Sequence, residues 1–255
     1  MSAKKILVTG ASSGIGRATA LHLARQGHHV LMAARRTEVL REIAATEATV
    51  VGELHVGELD VGRVESVDAF FAKHGDWLGN LDVVVNNAGL ALGREGFQDS
   101  SEAETERVFE TNVLGLLRVT KRALAPMLKR RAGQIVNLGS VAAHEAYAGG
   151  TVYCASKAAV HMITDALRHD LGGTGIRVCT VAPGRVAETQ FSNVRFRGDA
   201  EKAQKVYEGY RILTADDVAS IIAWIVAQPA HINVQELIVL PTDQPSATTL
   251  APLRP

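Results

Sequence analysis

The sequence predicts an α/β fold, a doubly wound parallel sheet of about seven strands, in a single domain over residues 1–255. Short apolar runs alternate strictly with longer segments of helical period, which is typical of parallel strands joined by right-handed crossovers. The predicted strands are apolar on both faces, as Val83-Val84-Val85 illustrates, and this is expected where helices cover both sides of a sheet. A glycine-rich turn also joins the first predicted strand to the first predicted helix.

Local composition and periodicity justify each element in turn. Short apolar runs rich in β-branched residues predict the strands. They lie at residues 5–9, 29–34, 81–86, 134–139, 175–182 and 236–240, and a third strand lies within residues 53–61 and ends at residues 59–61. Apolar residues at helical spacing predict the helices, at residues 17–25, 38–47, 64–73, 102–131, 153–171 and 215–227. Gly27 ends the first helix, and residues 102–131 are predicted as one uninterrupted helix.

Composition excludes several classes of protein. The chain has 255 residues and 27 Lys and Arg against 27 Asp and Glu, whereas a nucleic-acid-binding protein usually carries a basic excess. Its first apolar run, Ile6-Leu7-Val8, is far shorter than the roughly 7–15 residues of a signal peptide. No segment approaches the ~18 uninterrupted apolar residues of a membrane span. We therefore expect a cytoplasmic protein with no nucleic-acid or membrane partner.

Cysteine and histidine usage indicates no additional site. The two cysteines, Cys154 and Cys179, cannot form a disulfide framework. The nine histidines show no spacing typical of metal ligands, so no metal is predicted.

Two segments depart from the alternation. Residues of about 185–212 are polar, aromatic and basic, and they follow the carboxyl end of a predicted strand, where open α/β sheets bind ligands. We interpret them as a substrate loop. The proline-containing tail at about 241–255 is expected to lie over the surface or over a partner subunit.

The glycine-rich turn predicts dinucleotide binding of the Rossmann type. Gly10 permits the sharp turn, Gly14 lets the backbone approach a ligand, and Gly16 permits close packing of helix and strand. An ordinary tight turn could show the same glycines, but the position after the first strand is the required context. The candidate pyrophosphate-binding residues are Gly10, Ser12, Ser13, Gly14, Ile15 and Gly16.

The end of the second predicted strand indicates the cofactor type. NAD sites usually place an acidic residue there, about 20 positions beyond the glycines, to bind the ribose 2′-hydroxyl. This chain has Ala34 followed by Arg35 and Arg36, which suits a 2′-phosphate better and predicts NADP(H). A solvated basic surface is the alternative interpretation, and Arg17 is a weaker additional candidate.

Four polar residues form a candidate catalytic group. Tyr153 and Lys157 are spaced to share one face of a predicted helix. A phenol with its ordinary pKa near ~10 is a poor base at neutral pH unless a nearby cation favours the phenolate. Ser140 follows the fifth predicted strand and can polarise a carbonyl, and Asn112 is an unusual mid-helix residue suited to holding a relay water. An isolated tyrosine–lysine pair would more often be structural.

These features together resemble the short-chain dehydrogenase/reductase family, over nearly the whole chain. The motifs that carry the resemblance are Thr9–Gly16, Leu59-Asp60-Val61, Asn86-Asn87-Ala88-Gly89, Asn112, Ser140, Tyr153 with Lys157, and Pro183-Gly184. The resemblance implies that Tyr153 transfers the proton, Ser140 orients the substrate, Asn112 holds the relay water and Lys157 also binds the nicotinamide ribose.

The resemblance also implies the remaining cofactor contacts. Asp60 and Val61 would contact the adenine, and Asn87, Ala88 and Gly89 would line the cofactor beside the fourth strand. The segment Pro183, Gly184, Val186 and Thr189 would cover the nicotinamide. Here the spacing from Pro183-Gly184 to the threonine is one residue longer than the common family pattern.

A narrower resemblance is to the NADP-dependent 3-hydroxy acid dehydrogenases, which are homotetramers acting on serine, L-allo-threonine and related acids. Residues 86–93, 147–150, 191–199 and 240–242 carry it. A small acid requires a cation, and arginine can hold a carboxylate bidentately. Arg195 is the first candidate, with Arg185 and Arg197 as others, and Tyr147 either lines the pocket or packs.

Three functions therefore remain under comparison. The first is NADP-dependent oxidation of a small 3-hydroxy acid or reduction of its semialdehyde; a sulfonate such as sulfoacetaldehyde would fit the same arginine. The second is reduction of a larger ketone or a 3-oxoacyl thioester, which would favour an apolar lid. The third is a regulatory NADP-sensing module without catalysis, against which the complete catalytic group argues.

Overall fold

The computed structural model describes residues 2–187 and 189–251, and within them one parallel sheet of seven strands carries the fold. The strands are β1 (Lys5–Thr9), β2 (His29–Ala34), β3 (Glu53–Glu58), β4 (Val83–Asn86), β5 (Gly133–Leu138), β6 (Ile176–Pro183) and β7 (Glu236–Val239). Their spatial order is β3-β2-β1-β4-β5-β6-β7, and every neighbouring pair is parallel. The predicted doubly wound sheet is confirmed.

Helices connect the strands. They are α1 (Gly14–Arg25), α2 (Thr37–Thr46), α3 (Val64–Lys73), α4 (Gly75–Leu78), α5 (Glu102–Phe109), α6 (Gly115–Arg130), α7 (Thr151–Asp170), α8 (Phe191–Arg195), α9 (Ala200–Lys205) and α10 (Ala215–Ala227). No helix in the described part of the chain has the length and apolar character needed to cross a bilayer.

Both faces of the sheet are buried, because successive strand residues point to opposite sides. Ile6 and Val8 of β1 pack in the core beneath α1, α2 and α10. Leu7, between them, packs in a second core beneath α3 and α6. All three residues are completely buried, which explains why the strands read as continuous apolar runs.

The strand order places a crevice at one edge of the sheet. The chain runs outward from β1 to β2 and β3, then returns to add β4 on the other side of β1. The loops after β1 and β4 therefore diverge, and ligands bind at such a switch point, outside the carboxyl ends of the strands.

Some predicted boundaries are wrong. The third strand ends at Glu58 rather than Val61, because Asp60 turns the chain by accepting a hydrogen bond from the Gly62 amide on its own Oδ1 (3.0 Å). The predicted helix at 102–131 is interrupted by a wide turn at Glu110–Leu114, where the backbone forms π-helical bonds. Helix α1 begins at Gly14, three residues before the predicted start.

The two irregular segments are partly ordered against the sheet edge. The predicted substrate loop contains α8 and α9, and residue 188 lies outside the described residues. In the tail, Asp243 and Gln244 are buried, and residues 252–255 lie outside the described residues. The tail therefore folds back onto its own chain in the part described.

Candidate active site

A cavity of about 830 Å³ opens at the carboxyl ends of the strands. It brings together the residues that the sequence predicted for cofactor, catalysis or substrate, except Gly16, Asn112 and the additional candidates Arg17 and Arg197. Gly16 and Asn112 lie behind the cavity wall, where each fixes the position of residues that do line it.

The glycine turn is shaped by steric necessity. Gly10 and Gly14 have positive φ, +66° and +53°, which L side chains rarely adopt. A Cβ on Gly10 would lie 2.9 Å from the Ala88 Cα, and one on Gly16 would lie 2.3 Å from the Asn87 amide nitrogen and 2.5 Å from the Gly10 carbonyl oxygen. The turn therefore presses directly on the end of β4 and leaves its backbone open to a ligand.

A cation lies beside two hydroxyl groups at one end of the cavity. The Arg36 guanidinium donates hydrogen bonds to Ser12 Oγ (3.0 Å) and Ser13 Oγ (3.3 Å). Arg35 lines the same region, and Ala34, at the end of β2, supplies no acidic group. Guanidinium, hydroxyl and helix N-terminal amide groups are together suited to a phosphate.

Asn87 couples the turn to β4. Its amide nitrogen donates to the Thr9 carbonyl (2.8 Å), and the backbone amides of Asn87 and Ala88 both donate to Thr9 Oγ1 (3.1 and 3.0 Å). Asp60 and Val61 lie across the crevice, with Val61 buried and the Asp60 carboxylate holding its own turn. These contacts fix the backbone on both sides of the crevice.

Tyr153, Lys157 and Ser140 meet at the centre of the cavity. Lys157 Nζ donates to the Leu138 carbonyl at the end of β5 (2.7 Å) and lies 5.8 Å from the centre of the Tyr153 ring. Ser140 follows the same strand, and its hydroxyl accepts a hydrogen bond from the Ala142 amide. A helix and a strand end thus bring phenol, ammonium and hydroxyl groups together.

Burial opposes charge on both members of the pair. Desolvation raises the pKa of the Tyr153 phenol, while a hydrogen bond with Ser140 and the nearby Arg195 charge act in the opposite direction. Desolvation also lowers the pKa of the Lys157 ammonium to about 8. The phenol is therefore held as a proton donor until a further positive charge, or Lys157 itself, favours the phenolate.

Asn112 owes its position to the wide turn between α5 and α6. Its amide nitrogen donates to the Leu90 carbonyl (2.8 Å) and to Ser156 Oγ (3.0 Å), and its oxygen accepts from the Leu90 amide (2.8 Å). A π-helical turn frequently marks a functional position. Here it joins the loop after β4 to the helix that carries Tyr153 and Lys157.

Arg195 bridges three segments. Its Nε donates to the Gly93 carbonyl (3.0 Å), and its terminal nitrogens donate to Tyr147 Oη (2.8 Å) and the Gly149 carbonyl (3.1 Å). The guanidinium carbon also lies 5.8 Å from the centre of the Tyr153 ring. An arginine has about five N–H donors, so each terminal nitrogen retains a donor beyond these contacts.

The other arginines differ in their engagement. Arg197 pairs with Glu95 and Glu104 (2.6 Å each) and does not line the cavity, so the structure does not support it as a substrate ligand. Arg185 lines the cavity and donates to the Val206 carbonyl (2.7 Å). Its pKa is lowered by desolvation and by the positive charge of Arg94.

Arg94 is a cavity residue that the sequence reasoning missed. Its guanidinium carbon lies 5.4 Å from the centre of the Tyr147 ring, and that of Arg195 lies 5.3 Å from the same centre. The available signal was its place directly after residues 86–93, in the loop that leaves the carboxyl end of β4.

The segment after β6 closes the cavity over the glycine turn. The Thr189 side chain lies 3.1 Å from where a Gly14 Cβ would stand. Val186 bridges to Leu213 as a short parallel pair, and Gln244 Oε1 accepts from the Arg185 amide (2.8 Å). The predicted segment at Pro183, Gly184, Val186 and Thr189 therefore lines the cavity despite its extra residue, and the tail supports it.

Comparison with known proteins gives consistent results. The model of the short chain dehydrogenase family matches residues 4–199. The NADP-dependent 3-hydroxy acid dehydrogenase YdfG of Escherichia coli (strain K12) is 40% identical over 240 residues, which cover 94% of this chain and 95% of that protein. A serine 3-dehydrogenase of Agrobacterium fabrum is 38% identical and covers 94% of each chain. The closed form of serine dehydrogenase complexed with NADP+ superposes with a TM-score of 0.91 at 40% identity, covering 98% of this chain and 100% of that one.

Proposed function

This chain belongs to the short-chain dehydrogenase family, and we propose that it is an NADP-dependent dehydrogenase of small 3-hydroxy acids such as serine, allo-threonine or 3-hydroxypropionate. The observation that carries the proposal is the short distance between Arg195 and Tyr153. The guanidinium carbon of Arg195, whose terminal nitrogens have unused donors, lies 5.8 Å from the centre of the Tyr153 ring, and the hydroxyl of that ring would exchange the proton. The names of the relatives support the same substrate class.

The cavity residues fit NADP. Arg36 with Ser12 and Ser13 supplies a cation and two hydroxyls for the 2′-phosphate, and the turn between Gly10 and Gly16 leaves backbone amides for the pyrophosphate. Two solved structures superposed on this chain were described with NADP+ or an NADP derivative.

The chain's own groups would handle the proton. When bound, NADP+ supplies the acceptor for the hydride that leaves the substrate's C3 carbon. The Tyr153 oxygen accepts the hydroxyl proton as the carbonyl forms, and the Ser140 hydroxyl donates a hydrogen bond to the same substrate oxygen. Lys157 favours the phenolate by its charge, and reduction runs these steps in reverse. The relay-water role of Asn112 stays a prediction.

Substrate selection would depend on the acid group. We expect Arg195 to bind the carboxylate through its remaining donors, with Arg185 and Arg94 adding positive charge at the rim. Residues 185–212 act in this proposal as the substrate loop, because they contribute Arg185 and Arg195. A sulfonate fits the same donors.

The decisive experiment measures kcat/KM for NADP+ reduction with L-serine and 3-hydroxypropionate against ethanolamine and ethanol, which lack the carboxylate. We expect the acids to be favoured by about 100-fold, since a hydrogen-bonded charge contributes about 1.5–3 kcal/mol. Isethionate, a sulfonate alcohol, tests the alternative anion. Equal rates with acids and neutral alcohols would refute the acid-specific proposal, and NADPH binding without any turnover would indicate the sensor function instead.

Arginine variants then locate the anion contact. Arg195→Lys, Arg185→Ala and Arg94→Ala are compared with Arg41→Ala, an exposed arginine that pairs with Glu38 away from the cavity. We expect KM for the acids to rise most in Arg195→Lys and to stay unchanged in Arg41→Ala. A larger rise in Arg94→Ala would move the contact to that residue.

A larger ketone or 3-oxoacyl thioester is the second candidate substrate. Phe191, Val194 and Phe196 line the same cavity, and the Phe191 ring lies 5.3 Å from the Tyr153 ring. An apolar wall of this kind can accept an acyl chain. Faster reduction of a neutral 3-oxoacyl thioester than of malonate semialdehyde would favour this reading.

The quaternary and cellular assignments belong to the proposal as well. We expect a homotetramer, as the narrower family resemblance implies, and a cytoplasmic location. Exposed apolar side chains, among them Leu117, Met162, Trp224 and Ile238, support assembly. If light scattering of the purified protein gave the mass of one 27.2 kDa chain, the homotetramer would be contradicted.

A further inference from the structure

Two histidines and a glutamate meet outside the cavity. His144 directly follows the short helical turn at Val141–Ala143, His161 lies on α7, and Glu236 begins β7. None of the three lines the cavity. Their ligand atoms all lie within 4.8 Å of one another. Sequence spacing gave no sign of this cluster, because its members come from three elements that only folding brings together.

Both imidazoles approach one carboxylate oxygen. His144 Nε2 lies 2.7 Å and His161 Nδ1 lies 3.1 Å from Glu236 Oε1. Zinc binds imidazole nitrogen and carboxylate oxygen at about 2.0–2.2 Å, which puts tetrahedral ligand atoms about 3.3 Å apart. The 3.1 Å separation at His161 is close to one edge of a zinc coordination shell, and the 2.7 Å separation at His144 is a hydrogen bond that a bound ion would replace.

His161 has the environment of a metal-bound imidazole. Its Nδ1 is buried and makes no hydrogen bond among the described residues, although the Glu236 oxygen lies near. Its other nitrogen, Nε2, lies 3.6 Å from Asp165 Oδ2. Histidine ligands usually direct their second nitrogen at a carboxylate, which fixes the ring and raises its basicity.

The surrounding charges permit a cation. Arg168 is a positive group next to the cluster's neighbours, and it pairs with Asp165 and donates to the Gln235 carbonyl (3.2 Å). Glu145, the residue after His144, accepts hydrogen bonds from Ser246, Ala247 and Thr248. Glu236 and Asp165 thus carry two negative charges beside two imidazoles, against one paired guanidinium.

We propose that His144, His161 and Glu236 form a binding site for a divalent transition-metal ion, with zinc as the reference ion. Two imidazoles and one carboxylate supply three ligands, and the exposed side of His144 leaves room for water as the fourth. The site is separate from the proposed NADP and substrate positions, so it stands or fails independently of them.

The ion would join the two parts of the catalytic group. His144 follows the turn that begins at Ser140, and His161 lies one helical turn after Lys157 on α7. A metal held between them would fasten the Ser140 turn to the tyrosine–lysine helix through β7. Binding to the folded chain alone must raise its thermal stability.

The test is a zinc titration of the untagged, full-length protein after removal of bound metal, with a chelating dye as competitor. We expect one zinc per chain, and a rise in Tm of about 5 °C at zinc 100-fold above Kd. Glu236→Gln and His144→Ala should each weaken binding at least about tenfold and abolish the Tm rise. Both variants alter partly exposed side chains, and their metal-free Tm verifies folding.

A matched control is available on the opposite edge of the sheet. His55 and His29 both approach one oxygen of Glu53 (3.0 and 3.1 Å), so the cluster resembles the proposed site in chemistry, but its three ligand atoms do not all lie within 4.8 Å of one another. His55→Ala should leave zinc affinity and the Tm rise unchanged. The proposal is overturned if the wild type binds no zinc below about 1 mM, a value weaker than any structural site. It is also overturned if His55→Ala weakens binding as much as His144→Ala.

Discussion

The two halves of the cavity are constructed differently. The half at the ends of β1, β2 and β4 is made mainly of backbone: residues 10–16 turn sharply, and Asn87 fastens them to the next strand. The half at the ends of β5 and β6 is made of side chains from separate segments, as Tyr153 and Arg195 illustrate. A cofactor common to many enzymes can be held by a local turn, whereas a particular substrate needs groups assembled from the whole fold.

The contacts of Arg36 and Arg195 show the same difference between a local turn and an assembly of separate segments. Arg36 bonds to Ser12 and Ser13, within the turn that opposes it. Arg195 instead ties together Gly93 and Gly149, which belong to two other loops. Changes in the first half should therefore alter cofactor binding rather than the chemical step, while changes in the second should alter chemistry or substrate choice.

Tyr153→Phe should have the largest effect, and it should separate catalysis from cofactor binding most clearly. It removes the proton-transferring oxygen and keeps the ring, so kcat should fall about 10³-fold, the usual size of a general acid–base contribution. NADPH affinity, measured by fluorescence titration, should change less than about threefold, since the turn is untouched. Tyr210→Phe, outside the cavity, is the control. Substantial remaining turnover would remove Tyr153 from the mechanism.

Gly16→Ala should disrupt the glycine turn of the cofactor half through a steric clash. Its Cβ would fall 2.5 Å from the Gly10 carbonyl and 2.3 Å from the Asn87 amide, so backbone must shift. We expect a loss of about 3 kcal/mol in the free energy of unfolding, at the upper end of overpacking, together with weaker NADPH binding. Gly75→Ala, where a Cβ meets nothing within 4 Å, should be neutral in urea unfolding. Equal stability of the two variants would contradict this account of the turn.

Lys157→Met tests the cost of burying the ammonium at the boundary of the halves. The folded pKa of about 8 lies below the unfolded value near ~10.4. The unfolded chain thus binds more protons between these values, and the wild-type penalty of about 3 kcal/mol is complete below pH 8 and fades as pH rises toward ~10.4.

Loss of the hydrogen bond to the Leu138 carbonyl offsets about 1 kcal/mol of this gain. Without cofactor, the variant should be about 2 kcal/mol more stable than wild type at pH 7 and no more stable at pH 10.5, while losing activity. Urea unfolding at both pH values measures it. A difference that grows with pH would have the wrong sign.

Arg36→Ala should have the smallest effect and should lower cofactor selectivity alone. The side chain is exposed, so solvent screens its charge. We expect the ratio of NADPH to NADH affinity to fall about tenfold, with kcat for serine at saturating cofactor unchanged. Arg41→Ala, on the exposed face of α2, provides the comparison. A change in kcat would indicate that the two halves are coupled.

Much of the cofactor half could be predicted because its signals are contiguous. Gly10, Gly14 and Gly16 lie within one seven-residue segment, and positive φ at the first two leaves glycine as the natural choice. The strict alternation of strand and helix likewise predicted the sheet. Misplaced boundaries arose where a side chain overrode periodicity, as Asp60 does in ending β3.

The substrate half was predicted less completely. Arg94 escaped notice because nothing in its local sequence shows that it will stack on Tyr147. Arg197, a further candidate two residues after Arg195, is paired with Glu95 and Glu104 at the surface. Which arginine faces a cavity depends on loop packing, and helical spacing carries no information about it.

The sequence by itself determined the parallel sheet, the glycine turn and the tyrosine–lysine pair, because hydrophobic period and backbone sterics act over a few neighbouring residues. The tertiary structure decided which arginines face the phenol, how Asn112 reaches Ser156, and that His144, His161 and Glu236 meet. These contacts join residues far apart in the chain. Their energies depend on distance and burial, which exist only once the sheet has assembled.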